Sequence, residues 1–203
     1  MSLDRAEVTG LILAGGQGSR LGGVDKGLQV FEGQPLVHRA LQRLAPQVGR
    51  LMISANRNLD IYQDMGVPAW ADEPSNSGYQ GPLAGFLAGL AHCETPYLVT
   101  VPCDSPRMPL DLVQRLWQAL QDDAADVAVA ATQRSGETKL EPVFCLMKRE
   151  LQSSLQSYMQ SGQRKIERWT AEQRRAEVVF ADTAAFANVN TPDELAALQA
   201  PPR

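Results

Sequence analysis

Six glycines, one arginine and one lysine fall within fifteen residues, LAGGQGSRLGGVDKG, residues 13–27. Gly15, Gly16, Gly18, Gly22, Gly23 and Gly27 allow backbone N–H groups to approach phosphate oxygens with no side chain between. Arg20 can fork onto two phosphate oxygens, and Lys26 supplies a mobile point charge. Together they could neutralise a triphosphate. The plainer alternative is a flexible turn with solvated charges. Two better-known loops do not fit. A P-loop needs G-x-x-x-x-G-K-[ST], and the chain has no such run. Gly16 and Gly18 open a G-x-G-x-x-G fingerprint, but Leu21 stands where its last glycine belongs.

A triphosphate needs a cation, and magnesium takes carboxylate oxygens together with phosphate oxygens. Asp104 is the candidate ligand. It follows the apolar run YLVTVPC, between Pro102 and Pro106, which stiffen its loop. A lone aspartate after a strand is also a common turn former or helix cap, so its coincidence with the glycine loop is what favours the metal. Asp25 is a weaker candidate, because it can instead order Lys26 or Arg20. Asp72 follows another short apolar run. As an acceptor-only group it could receive the N1–H and exocyclic amine of guanine, or cap a turn. No serine, histidine and aspartate combination stands out. His38 and His92, the only histidines, read as structural or surface residues. No covalent intermediate is called for: in-line transfer needs positioning and charge neutralisation.

These residues require a scaffold that brings distant loops together. The chain has 203 residues, 44% hydrophobic and 21% charged, the balance of a soluble globular protein, and its length suits one domain with a sizeable core or at most two small ones. A net charge of -4 argues against nucleic acid or an anionic membrane as the main partner. Cys93, Cys103 and Cys145 are too scattered for a C-x-x-C site and read as reduced thiols of a cytoplasmic protein. No run approaches the ~18 apolar residues of a membrane span.

Along the chain, strands are expected at 8–14, 51–55, 67–71, 97–101, 127–131 and 142–146, with short ones at 178–180 and 187–189. Helices are expected at 35–44, 58–64, 82–91, 110–120 and 149–160. A last helix should open at Thr191 as N-cap, with Pro192 in its first turn. The four-residue spacing of Gly81, Gly85 and Gly89 leaves one helix face bare, where a backbone can pack close. Strands alternating with helices predict a mostly parallel sheet covered on both faces. Ligands of such sheets bind beyond the carboxyl ends of the strands, where strand order reverses. The loops after the first, second and fourth strands should therefore meet at one crevice.

LILAGGQGSRLGGVDKGL resembles the signature loop of the molybdenum cofactor guanylyltransferases. The resemblance continues through GQPLVHRAL, ISANR, the Asp72 segment, GPLAG and PCDSP, and ends at NVNTPDEL, so it runs over nearly the whole chain in order. The loop alone is common to many nucleotidyltransferases; the combination is far more specific. The resemblance implies a three-layer, Rossmann-like α/β fold of the nucleotide-diphospho-sugar transferase type. It implies one domain over 1–203, with a nucleotide-binding half at about 8–110 and an acceptor half at about 111–198. It implies GMP transfer from GTP to the terminal phosphate of molybdenum-molybdopterin, with Mg2+ and release of pyrophosphate. Leu13, Ala14, Gly15 and Gly16 match the loop backbone that contacts the nucleotide. Lys26 matches the phosphate lysine, Asp72 a guanosine contact, and Asp104 the magnesium ligand. The pattern departs at Ser54, where some family members carry asparagine; serine has fewer groups and a shorter reach, and Asn56 can share the role. Gly81, Pro82 and Leu83 would border the acceptor, joined by Asn188 and Asn190 alternating on a strand and by Arg164 and Lys165. Turn formation and solvated surface charge are the plainer alternatives for these last residues. Downstream partners would be molybdoenzymes or their maturation chaperones.

The closest rival is a cytidylyltransferase acting on the same pterin. Relatives of that kind carry an A-A-G loop where this chain has Ala14-Gly15-Gly16. A sugar-1-phosphate nucleotidyltransferase is a second rival. A non-catalytic nucleotide-binding regulator of molybdoenzyme maturation is a third, and the presence of Asp104, Arg20 and Lys26 together argues against it.

Overall fold

The computed structural model describes residues 3–14, 25–72, 81–134, 136–189 and 194. Strand β1 (Val8–Leu13) leads, across the glycine-rich segment, to a 3-10 turn (Lys26–Leu28) and a small hairpin, β2 (Val30–Phe31) and β3 (Gln34–Pro35). Glu32 and Gly33 turn that hairpin with φ of 47° and 80°, the pair of positive values that a tight two-residue connection needs. Then come α1 (Leu36–Leu44), β4 (Arg50–Ser54), α2 (Leu59–Gln63), β5 (Ala69–Trp70), α3 (Pro82–His92) and β6 (Tyr97–Pro102). The second half runs α4 (Leu112–Asp122), β7 (Val127–Arg134), β8 (Glu137–Lys148), α5 (Gln152–Gln160), α6 (Ile166–Ala171) and β9 (Arg175–Phe180).

Seven strands form one sheet in the order β5-β4-β1-β6-β8-β7-β9. Only β8 runs antiparallel to its neighbours; the other pairs are parallel. Alternate residues feed two layers of core. Val8 and Ile12 of β1 pack with α1, α2 and α4 through Val37, Ala40, Leu44, Tyr62, Leu112 and Leu116. Leu11 faces the other way, into α3, α5 and α6, among Leu83, Phe86, Leu155 and Trp169. Apolar side chains on both faces make the near-continuous hydrophobic runs seen in the sequence. The expected three-layer, mostly parallel α/β fold is the one present. Among the described residues no helix is long and apolar enough to cross a membrane.

After β1 the chain builds outward to β4 and β5, then crosses back through α3 to place β6 on the other side of β1. Strand order therefore reverses between β1 and β6, the switch point beyond whose carboxyl ends ligands of such sheets bind. The spaced glycines make this crossing close. A Cβ on Gly85 would lie 2.6 Å from Leu13 Cδ2 and 2.8 Å from Ser54 Oγ. One on Gly89 would overlap Leu11.

Several expected boundaries change. The strand expected at 142–146 is the longer β8, and Pro142 lies inside an irregularity. The register passes from Val129↔Cys145 to Ala130↔Glu141, so residues 142–144 loop out of the ladder. Proline has no N–H to give a ladder, and a bulge accommodates it. Thr100 Oγ1 donates to the Val143 carbonyl there at 2.6 Å. Pro35 ends β3 and precedes α1 rather than sitting in its first turn. The helix expected at 149–160 opens with a 3-10 turn, Arg149–Leu151. Residues 187–189 form no strand; the Val189 N–H is bonded to the Asp104 carbonyl instead, at 2.9 Å. Helix α6 has no signature in the sequence because six residues are too few to display a period. The proposed cap at Thr191 lies outside the described residues.

The amino end of the sheet is tied by charge. Asp126, just before β7, accepts from Arg174 at 2.8 and 2.6 Å and from Lys148 at 2.9 Å. The Arg174 guanidinium, with Lys148 beside it, holds this carboxyl well below the usual carboxylate range. A depressed acid contributes stability above its unfolded value of about 3.9 and loses it as pH falls through the folded value. Asp126→Asn is therefore expected to lower the thermal midpoint at pH 7, with the gap to wild type closing as pH drops below about 3.9. Melting curves from pH 7 to pH 2 test this, and a gap independent of pH would refute it.

Candidate active site

The carboxyl ends of β4, β1 and β6 are level. Leu13 pairs with Ser54 on one side and Pro102 on the other. The ladder runs one step further on each side, Ala14 N–H to the Ser54 carbonyl at 2.8 Å and Cys103 N–H to the Leu13 carbonyl at 3.1 Å. Asp104 thus leaves the sheet directly beside Leu13 and Ala14, where the glycine-rich segment begins. Gly15, Gly16 and Arg20 lie outside the described residues.

Lys26 and Asp104, 78 residues apart in sequence, meet here. The Lys26 ammonium donates to Asp104 Oδ2 at 3.1 Å. Lys26 opens the 3-10 turn whose N-cap is Asp25. The Asp25 carboxylate accepts from the Gly27 N–H, the Tyr62 hydroxyl and the Asn58 amide. With three donors on it, Asp25 takes the ordering role among the two that its sequence position allowed. Asp104 is only 8% exposed, and its Oδ1 is buried with no hydrogen-bond donor among the described residues. Burial raises the Asp104 carboxyl above the usual range, and the Lys26 charge opposes that rise. The neighbouring Cys103 thiol, also buried, is pushed up and held neutral.

The Asp104 loop is braced from two directions. From the chain's last described segment, Val189 N–H donates to the Asp104 carbonyl, and Ser105 Oγ donates to Asn188 Oδ1 at 2.7 Å. From α1 and the turn after it, Arg43 donates to the Met108 carbonyl and Gln47 to the Pro109 carbonyl at 3.0 Å. Asn188 therefore reaches the site through Ser105 and lies on no strand; Asn190 is outside the described residues. Neither Ser105 nor Gln47 carries a signal in the sequence, since each acts by one side-chain bond to a distant loop.

On the β4 side, Asp72 stands over the strand ends. Ser54 Oγ donates to its Oδ1 at 3.0 Å and Asn56 Nδ2 to its Oδ2 at 2.7 Å, while the Asp72 N–H returns a bond to Asn56 Oδ1 at 2.9 Å. Ser54 spends its hydroxyl on Asp72 and is buried at 2% exposure. A carboxylate has about four lone-pair sites, so Asp72 retains acceptor capacity beyond these two bonds. Opposite, Gly81 caps α3 with φ 74°, and Pro82 occupies its first turn. β8 ends opposite the start of β6 and β9 starts opposite the start of β7. So α5 rises towards the crevice end, α6 returns, and the turn with Arg164 and Lys165 between them lies at that end. Arg164 donates to the Met159 and Gln163 carbonyls at 2.6 Å each, closing the end of α5.

The arrangement is a buried carboxylate with one oxygen undonated among the described residues, a lysine against the other oxygen, and a second carboxylate at the end of the β4 side held by one hydroxyl and one amide donor. Its cost to the fold is testable. An acid whose folded pKa is raised contributes its stability below the unfolded value and loses it as pH rises through the folded one. Asp104 is therefore a burden at neutral pH. Asp104→Asn is expected to leave the metal-free protein at least as stable as wild type at pH 7, within about 1 kcal/mol or better. Urea unfolding measures this, and a loss of several kcal/mol would show the carboxylate to be a structural brace.

Residues 10–178 match the family model of the MobA-like NTP transferase domain. A molybdenum cofactor guanylyltransferase of Bordetella petrii is 58% identical over 95% of this chain and 97% of its own. One from Cupriavidus taiwanensis is 54% identical over 97% of this chain and 98% of its own. Among solved structures, molybdopterin-guanine dinucleotide biosynthesis protein A of Archaeoglobus fulgidus superposes with a TM-score of 0.73 at 18% identity, covering 94% of this chain and 96% of that one. The 4-diphosphocytidyl-2C-methyl-D-erythritol synthase of Anaerococcus prevotii gives 0.76 at 11% identity, covering 97% and 98%, a likeness of fold alone. A full-length match at this identity, on the expected fold, places the chain in the MobA-like NTP transferase family, among the molybdenum cofactor guanylyltransferases.

Proposed function

We propose that the chain transfers GMP from GTP to the terminal phosphate of molybdenum-molybdopterin, forming the guanine dinucleotide cofactor and pyrophosphate. The observation that carries this reading is the Asp104–Lys26 pair, a 3.1 Å contact at the strand switch with Asp104 Oδ1 buried and undonated among the described residues. That oxygen fits a divalent cation. Among the described residues no three histidine, cysteine or acidic side chains converge. A cation on Asp104 would take its other ligands from phosphate oxygens and water, as magnesium does. Bound there, magnesium would withdraw charge onto the leaving pyrophosphate.

The chain's own residues supply the rest. The backbone from Leu13 through Ala14, Gly15 and Gly16 lies along the nucleotide. Lys26 and Arg20 neutralise the triphosphate and hold its α-phosphorus open to in-line attack. Asp72, oriented by Ser54 and Asn56, receives the N1–H and exocyclic amine of guanine. Cytosine offers no such adjacent pair of donors to a carboxylate. Gly81 and Pro82 border the acceptor phosphate, with Asn188, Asn190 and Arg164 flanking it. The buried cysteines, all three unbridged, suit a reducing cytoplasm, and molybdoenzymes or their maturation chaperones would take the product.

Incubation with GTP, magnesium and molybdopterin-loaded acceptor is expected to yield the guanine dinucleotide and pyrophosphate, with CTP turned over at least about a hundredfold less well. Efficient use of CTP and none of GTP would sink the guanyl assignment. Asp104→Ala should retain the fold by circular dichroism and lose about three orders of magnitude in pyrophosphate release. Unchanged turnover would exclude Asp104 as the metal ligand.

A further inference from the structure

Tyr62 lies on α2, well away from the glycine-rich segment in sequence, and is fully buried. Its hydroxyl donates to Asp25 Oδ1 at 2.7 Å. The same oxygen accepts the Gly27 N–H at 3.1 Å, and Asp25 Oδ2 accepts the Asn58 amide at 2.9 Å. Asp25 is itself only 7% exposed. Gly27 has no room for a Cβ, because that atom would overlap the Tyr62 hydroxyl. Asn58 adopts the left-handed backbone, φ 50°, at the entry of α2, a conformation asparagine tolerates better than most residues. Three donors from two segments thus converge on the residue before Lys26 and on the turn that starts with it.

We infer that Tyr62 and Asn58 are positioning residues that act through Asp25 to fix Lys26 for the triphosphate. The inference rests on the reading of Lys26 as a phosphate-binding lysine. A lysine side chain has four rotatable bonds and reaches a definite point only if its backbone is held. Here the backbone is held on both sides, by the Asp25 cap before it and by the capped Gly27 N–H after it. Burial and the bond to Asp25 keep the Tyr62 hydroxyl protonated far above the ordinary tyrosine range. It is therefore a constant donor and takes no part in proton transfer. The clamp also explains why a buried tyrosine, rather than phenylalanine, stands at a core position between β1 and α2: the ring fills the core and the oxygen serves the loop.

The test is calorimetric binding of GTP and of GMP, each with magnesium, to wild type, Tyr62→Phe, Lys26→Ala and the double variant. Tyr62→Phe keeps the ring and removes the donor. It is expected to weaken GTP binding about five- to tenfold, the worth of one such hydrogen bond, and GMP binding less than twofold. In the Lys26→Ala background the same change should have no further effect on GTP. Thr9→Val serves as the control. It removes another buried side-chain hydrogen bond, Thr9 to Thr95 at 2.7 Å, at the amino end of the sheet, and should lower the melting temperature without altering the GTP-to-GMP ratio. Asn58→Ala should reproduce the Tyr62→Phe signature if that variant folds poorly. Equal weakening of GTP and GMP, additivity with Lys26→Ala, no effect at all, or a wild type that binds GTP no more tightly than GMP would each overturn the inference. The readout is binding alone. A protein that shows the expected signature yet forms no dinucleotide would refute GMP transfer and leave the positioning role standing.

Discussion

A carboxylate placed where water cannot solvate it must be compensated, and Asp104 is such a group. Burial pushes its carboxyl up, and Lys26 alone among the described side chains stands against one of its oxygens. Everything around it keeps that imbalance in place. The sheet delivers Asp104 two residues beyond β6. The turn after β1 delivers Lys26. Asn188 and Val189 on one side, and Arg43 and Gln47 on the other, prevent the loop from relaxing into a solvated conformation. A charge kept undercompensated by a rigid surround is preorganised for a ligand that brings the opposite charge.

The same economy governs the β4 side. The close seat of α3 depends on two glycines, and one of them, Gly85, faces Ser54. Ser54 in turn orients Asp72. Helix packing and the orientation of the second carboxylate are therefore one problem, solved by the absence of a methyl group. Small residues at i and i+4 let the helix approach the strands, and a methyl group on Gly85 would crowd the Ser54 hydroxyl.

Much of this was legible in the residues. Alternation of apolar runs with helical periods gave the layered parallel sheet, because strands buried on both faces leave long hydrophobic runs. The glycine loop and Asp104 could be placed at one crevice because each follows a strand that must end on the same side, whereas Asp72, after the third expected strand, joined them only through the family resemblance. What stayed hidden were features that depend on single distant bonds or on geometry without a period. Pro142 reads as the start of a strand, yet it is looped out inside the longer β8. The six residues of α6 are too short to repeat. Asn188 and Val189 alternate like a strand, yet the Val189 N–H is used by the Asp104 carbonyl. Tyr62 reads as one more core aromatic, since only the fold brings its hydroxyl to Asp25.

The brace from Asn188 and Val189 has a bearing on how the protein comes into being. A chain emerging from the ribosome presents β1, β4 and β6 early, and these can pair as soon as they are out. The segment that locks the Asp104 loop arrives 85 residues after it, a delay of about 4–17 s at roughly 5–20 residues per second. During that interval the nucleotide crevice exists without its final fastening. The last fastening of the Asp104 loop is thus a late event in biosynthesis, supplied by a segment 85 residues downstream of it.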